Sequence, residues 1–360
     1  MRRLLILFCI AAVCVFVSST GDAASTVYSG VAPFGATDIP GGFFNGFDVT
    51  ASGKIVGLAG RNINLYSAAG TYERTIATVP DYNGDNAPEY GSFCRLTPDE
   101  STVWTGFTVN GNTDDRIYSV PFAGGSATHE ATFTGNYDLE FAQVGGNWKP
   151  FVSGTNSTTF GAPNSVWLLD TAADNHVKIA GLGGYASGLA FDSSGNLYAA
   201  DSSLKKLYRF GTARVQSAAT GGASLVGDNA DFSSDMHFAA ADITVDGVDH
   251  VFFNSNDPSY SGASIVSMLQ PAAAGAYKYD NIAVGTGSFG NWSTQLAFGG
   301  GTGDATLGGG SVFVGDFWSS GGVTELAVPE PGTVVLLSSG IFTLGAMLRR
   351  RMTKVNRKRD

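Results

Sequence analysis

From about residue 46 to residue 327, short apolar runs alternate with clusters of Gly, Asp, Asn and Ser, and one pattern returns six times. Each unit has an apolar strand, a turn, a second apolar strand, a polar gap and a third short strand with an aromatic or β-branched centre. The clearest unit reads Ser187-Gly188-Leu189-Ala190-Phe191, then Asp192-Ser193-Ser194-Gly195-Asn196, Leu197-Tyr198-Ala199-Ala200-Asp201, and Lys206-Leu207-Tyr208-Arg209-Phe210. Every strand signal in it is bounded by turn residues. First strands recur at Phe47-Asp48-Val49, Cys94-Arg95-Leu96, Leu139-Glu140-Phe141, Leu189-Ala190-Phe191, Asp242-Ile243-Thr244 and Leu296-Ala297-Phe298. Taking the third-strand residues Leu65, Ile117, Val166, Leu207, Ile265 and Val323 as markers, the intervals are 52, 49, 41, 58 and 58 residues. A more variable fourth strand follows in some units, as at Glu73–Ala77 and Ala131–Phe133.

A single unit of this kind cannot bury both faces of its sheet, whereas six around an axis cover each face with a neighbour. The pattern therefore predicts an all-β, six-bladed propeller over 46–327, with a pair of sandwiches or a β-solenoid as the alternatives. Residues 24–45, with Thr26-Val27-Tyr28, are placed to supply a strand that closes the ring.

Composition agrees with this class. The chain has 360 residues, 43% hydrophobic and only 14% charged, with 49 Gly, 24 Phe and 13 Tyr, so disorder, coiled coil and helical repeat are excluded. The net charge of −10 is unevenly spread: residues 25–327 hold 12 of the 21 basic residues but 28 of the 31 acidic ones, about −16, and the basic remainder sits at the ends. That is the wrong sign for a nucleic-acid partner. Outside the N-terminal apolar run only Cys94 remains; one thiol forms no internal bridge, and a small buried hydrophobe in a strand is what it suits.

The two ends specify a route. Arg2 and Arg3, the apolar run Leu4–Val17 and a small-residue stretch around Gly21 and Ala23 have the three regions of a secretory signal peptide, expected to span 1–23. At the other end Val328-Pro329-Glu330-Pro331-Gly332 precedes Thr333–Leu348, which carries no charge, and then Arg349-Arg350-Arg351. The prolines hold the box open and extended. The apolar run would span ~24 Å as a helix, enough for a bilayer if Arg349 snorkels, and the arginines keep the tail cytoplasmic. Residues 328–360 resemble the PEP-CTERM sorting signal of Gram-negative bacteria. The resemblance implies recognition by exosortase, a membrane-anchored intermediate held by the helix at 333–348, cleavage near the Pro-Glu-Pro box, and delivery to the cell surface or exopolysaccharide matrix.

The unit Ser187–Phe210 resembles an NHL-type repeat, a blade also found in the gluconolactonase-like superfamily. That resemblance implies a divalent cation at the axis, held by one Glu and a few Asn or Asp side chains from several blades, in keeping with the oxygen preference of calcium. The candidates are Asp201, Asn256 and Asp316 at second-strand ends, with Asp48, Glu140 and Asp242 on first strands and Asp138 beside Glu140; capping of turns is the competing role for such acids. Asp81, Asn83 and Asp85 resemble the first half of a calcium loop whose second half is incomplete, so a calcium-stabilised loop and an ordinary inter-blade loop both fit.

His129, His176, His237 and His250 are scattered without zinc spacing, there is no Gly-x-Ser-x-Gly elbow, and the glycine runs at 299–303 and 308–310 lack a phosphate-binding Lys. Trp148, Trp292 and Trp318 suit either stacking on sugars or packing between blades. The sequence thus points to an exported, non-catalytic binding or structural module of the surface or matrix. A metal-dependent lactonase at the axis and a calcium- or glycan-binding lectin are the alternatives.

Overall fold

The computed structural model describes residues 44–81, 90–108, 115–159, 162–184, 187–236, 240–256, 263–271, 277–286, 293–304, 309–316 and 323–326. Residues 1–23, where the sequence leads one to expect a signal peptide, residues 24–43, Asn83, Asp85, Trp292, Trp318 and the whole tail from Val328 lie outside them, as do the side chains of Asn256 and Asp316. Among the described residues no helix is long and apolar enough to cross a membrane.

Six antiparallel sheets follow one another along the chain. Blade 1 is β1 (Gly46–Val49), β2 (Ile55–Ala59), β3 (Asn62–Tyr66) and β4 (Tyr72–Thr78); blade 2 is β5 (Tyr90–Leu96), β6 (Thr102–Thr108), β7 (Arg116–Pro121) and β8 (Thr128–Thr132). Blade 3 comprises β9 (Asn136–Val144), β10 (Asn147–Gly154), β11 (Ser165–Leu168) and β12 (Val177–Gly181), and blade 4 β13 (Leu189–Phe191), β14 (Leu197–Asp201), β15 (Lys206–Phe210) and, after an insertion, β17 (Phe232–Asp235). Blade 5 is β18 (Ala240–Val245), β19 (Val251–Asn256), β20 (Ala263–Pro271) and β21 (Tyr277–Thr286); blade 6 shows β22 (Ser293–Asp304), β23 (Gly310–Asp316) and β24 (Val323–Leu326). All six expected first strands fall within these elements, and the six third-strand markers lie on β3, β7, β11, β15, β20 and β24.

The burial gradient across a blade explains the sequence pattern. Second strands such as β2 (IVGLA) and β14 (LYAAD) are buried at every position because a neighbouring blade covers each face, whereas the outer strand β4 (YERTIAT) is mostly exposed. The core is accordingly divided into six clusters, one between each pair of adjacent blades. Cys94 lies wholly buried in the cluster between blades 1 and 2, and burial pushes its thiol well above the usual range. The ring closes where Phe47, Ile55 and Tyr66 of blade 1 pack on Ala297, Phe313 and Val323 of blade 6.

The insertion in blade 4 departs from the pure strand pattern. Helix α1 (Thr212–Ala219) buries Val215 and Ala218, an i, i+3 pair, against blade 3, and β16 (Leu225–Val226) then runs parallel to β12 as a fifth strand of that blade. One blade thus covers the open edge of its neighbour, protecting it from stray pairing.

Inner strands approach closely. A Cβ on Gly188 would lie 2.6 Å from both the Cα of Asp242 and the backbone nitrogen of Ile243 on the next blade's inner strand. Gly188→Ala is therefore expected to destabilise the domain by about 1–3 kcal/mol through overpacking, seen as a lowered urea midpoint with unchanged slope. A variant as stable as the parent would show that the blades can part here without cost.

Candidate functional site at the propeller axis

The six inner strands bring one charged cluster onto the axis. Arg95 on β5 is its centre, with a side chain only 3% exposed. Its Nη2 lies 2.9 Å from Asp138 Oδ1 on β9 and donates to both oxygens of Asp242 on β18 at 3.2 and 3.0 Å. Nε donates to the Leu139 carbonyl at 3.2 Å and lies 3.5 Å from Glu140 Oε1; Nη1 donates to the carbonyls of Phe47 and Leu296 at 3.3 and 3.4 Å. One guanidinium therefore ties its own blade to blades 1, 3, 5 and 6, as its planar fork of five donors permits.

The three aspartates follow a pseudo-threefold rule. Asp48, Asp138 and Asp242 sit on the inner strands of blades 1, 3 and 5. Each accepts from the next backbone N–H on its own strand, at 2.8 Å in all three cases. The second oxygen crosses to the following blade: Asp48 to Leu96 N at 2.7 Å, Asp138 to Leu189 N at 3.1 Å and Asp242 to Leu296 N at 2.7 Å. Gln295 closes the circle by accepting from Phe47 N–H and donating to the Ser92 carbonyl, both at 2.8 Å. Each inner strand is an edge of its own sheet and has a ladder partner on one side only, so these acids supply lateral hydrogen bonds that no sheet ladder provides.

Four carboxylates surround one cation. Burial works against the charge of Arg95, but the fields of Asp138, Asp242, Glu140 and Asp48 outweigh it and hold the guanidinium charged well above its ordinary range. Burial raises Asp48, opposed by Arg95, and raises Asp242 well above the carboxylate range with help from Asp138. Glu140 differs from the aspartates: its only backbone bond is a long one of 3.4 Å from Phe141 N–H. Burial among Asp138 and Asp48 pushes it up to about 8 despite Arg95, although 31% of the side chain is open to a pocket of about 230 Å³ at the mouth of the axis. Every blade lines that mouth, from Val49 and Leu96 round to Phe298.

The sequence candidates separate. Glu140, Asp48, Asp138 and Asp242 meet on the axis, whereas Asp201 does not join them, and of Asn256 and Asp316 only the backbone is described. Asp201 accepts from Gly183 N–H at 2.8 Å and Leu204 N–H at 2.9 Å, a turn-capping role, and lies level with the start of β13, whereas Glu140 faces its far end. The backbones of Asn256 and Asp316 pair with Ser264 and with Ser293 at the start of β22, at the same end of the ring as Asp201. Asp81 approaches Arg61 at 3.9 Å. Arg95 was legible only as a charged residue inside an otherwise apolar strand triplet, and that oddity is the signal that marks it.

A divalent cation does not fit at the level of these acids. The space between them is filled by a guanidinium, each aspartate oxygen already has a donor, and no group of three or more His, Cys, Asp or Glu able to hold a metal occurs among the described residues.

Comparison with known proteins places this geometry in context. No protein-family model and no curated protein matches the chain. Solved structures do. A putative gluconolactonase aligns over 84% of this chain and 93% of its own at 14% identity and a TM-score of 0.52. A PQQ-bound aldose sugar dehydrogenase from Streptomyces coelicolor aligns over 86% and 97% at 13% identity and 0.52. Regucalcin, a calcium-binding protein from Agrobacterium tumefaciens, aligns over 84% and 95% at 15% identity and 0.50. What the chain shares with them is the six-bladed fold.

Proposed function

We propose that this chain is an exported propeller that serves as a non-catalytic binding or structural module, sorted through its C-terminal tail to the cell surface or an exopolysaccharide matrix. The observation that carries the non-catalytic reading is Arg95: where the propeller resemblance implies a metal, this chain supplies its own cation and uses it to join five blades. Export rests on the signal-peptide pattern of residues 1–23 and on the order of Val328-Pro329-Glu330-Pro331, an apolar run and Arg349-Arg350-Arg351. Exosortase is the processing partner, with a membrane-held intermediate before release.

Propellers of similar fold include enzymes, and one feature favours a second reading, a lactone hydrolase: Glu140 lines an axial pocket of about 230 Å³ with its carboxyl pushed up to about 8, suited to proton transfer near neutral pH. Two measurements separate the readings. Fractionation of cells carrying the full chain and a form lacking residues 328–360 is expected to place the full chain in the envelope or matrix, and the truncated form elsewhere; cytoplasmic retention of the full chain overturns the sorting half. A panel of aldonolactones with calcium, zinc or magnesium is expected to show no hydrolysis above the blank. Turnover abolished by Glu140→Gln would establish the hydrolase instead. Calcium that raises the melting temperature without turnover would point to the loop at Asp81, Asn83 and Asp85.

A further inference from the structure

Blade 3 carries a feature that neither the axis nor the sorting tail uses. Its β9–β10 hairpin is long, with strands of nine and eight residues, and turns at Gly145-Gly146, where φ is +58° and +82°. Trp148 stands on this projecting hairpin with 53% of its surface exposed, so the blade-packing role suggested by its sequence is not the one it has. The hairpin is held in place: Gln216 of α1 accepts from Gly145 N–H at 3.4 Å and donates to the Gln143 carbonyl. The indole is therefore presented to solvent on a braced support, with its amphipathic ring free to stack on a ligand.

Trp148 is also a ridge between two clefts. On one side a cleft of about 650 Å³ has an apolar wall of Phe141 and Leu168 and polar rims of Asp99, Lys149 and Asp170. On the other a cleft of about 790 Å³ is lined by Phe191, Ser193, Thr212, Gln216 and Asp249. Each has the volume of a small-ligand site. The rim acids are fixed by backbone donors: Asp99 accepts from Ser101 N–H at 3.1 Å and Asp170 from Ala172 N–H at 3.0 Å within their own turns, and Asp249 accepts from Ser193 N–H of the neighbouring blade's turn at 2.8 Å.

We propose that Trp148 and its two flanking clefts form a binding site for an uncharged oligosaccharide that crosses the ridge. This assignment rests on the reading of the domain as a binding module and names its ligand class. The chemistry selects the ligand. A pyranose has a C–H face that stacks on an indole and a rim of hydroxyls that donate to fixed carboxylates, matching an amphipathic platform between acid-rimmed grooves. Two clefts in line with one platform suit several sugar units rather than one. The rims hold Asp99, Asp170 and Asp249 against Lys149, on a domain of about −16, which disfavours an anionic polymer.

The test uses the full 360-residue chain, its Trp148→Ala and Trp148→Phe variants, and maltohexaose, cellohexaose, chitohexaose and an alginate hexasaccharide as probes, read by calorimetry and tryptophan emission. At least one uncharged hexasaccharide is expected to bind and shift the emission, with affinity reduced at least about tenfold in Trp148→Ala and largely kept in Trp148→Phe, while the melting temperature of both variants stays that of the parent. Absence of binding by every uncharged probe, equal affinity in Trp148→Ala, or tighter binding of alginate overturns the assignment. Cleavage of a bound probe would overturn the non-catalytic reading and leave the Trp148 site standing; failure of the probes with normal sorting of the chain would do the reverse.

Discussion

Replacing Arg95 with methionine is expected to lower the melting temperature at pH 8 by roughly 10 °C. Removing one partner of a buried ionic network costs about 3–5 kcal/mol, because the remaining charges are left uncompensated, and in a domain of this size each kcal/mol moves the midpoint by about 2–4 °C. Methionine restores most of the buried volume, so the loss reports the charge and its donors. Asp138, Asp242, Glu140 and Asp48 then face one another with no cation between them. The deficit should therefore shrink at pH 5.5, where protonation relieves that repulsion, and a purely steric defect would not respond in this way. Arg95→Lys should fall between, since an ammonium keeps the charge but cannot reach the carbonyls of Phe47, Leu139 and Leu296 together with both aspartates. Thermal scans of the three proteins at both pH values decide the matter; a methionine variant melting within 2 °C of the parent at pH 8 would mean that the axis is not held by this network.

The reach of the sequence pattern ends where the blades meet. Strands and turns depend on neighbours within about ten residues, and these were readable: Asp192 clamps Ser194 and Asn196 N–H at 3.0 and 2.9 Å within the turn the sequence marks, with Gly195 at φ +79°. The repeat could also be counted, because each blade needs two apolar faces. Which charged side chains share the axis depends on the relative shift of strands from different blades, separated by 44 residues for Arg95 with Leu139 and 147 for Arg95 with Asp242. No local rule carries that information. Asp201, at a second-strand end, and Glu140, on a first strand, read alike as acids of the inner strands, yet the end of a second strand lies level with the start of its antiparallel first strand, whereas Glu140 faces the far end. Helix α1 is hidden in the sequence for a different reason: eight residues flanked by glycines in a polar stretch resemble a loop, and its Val215 and Ala218 pair finds an apolar partner only against blade 3. Trp148 was visible as a candidate, but exposure is a tertiary property.

Stability is expected to fall as pH rises from 5.5 to 8.5, opposite to the trend produced by ion-paired carboxylates with depressed values. In the folded chain Glu140 is pushed up to about 8, against an ordinary value of 4.5. Between those values the folded state keeps a proton that the unfolded state has released. The stabilisation this provides is complete below about 4.5 and is lost as pH climbs through about 8. Asp48 and Asp242 are also raised by burial and add in the same direction, but each has both oxygens engaged by backbone N–H groups, which favours the charged form. Glu140 lacks that clamp, so it dominates the change. Asp99, lowered to about 2 by Thr97 and Ser101, loses its contribution only as pH falls from 3.8 towards 2 and stays out of the window. With 31% of the Glu140 side chain open to the axial mouth, water screens part of the effect, and the expected fall is a few degrees in melting temperature. Glu140→Gln mimics the protonated acid, so it should match the parent at pH 5.5, exceed it at pH 8.5 and flatten the slope between; a variant with the parent's slope would assign the proton to the aspartates, and a parent that gains stability with pH would show that Arg95 keeps all four acids ionised.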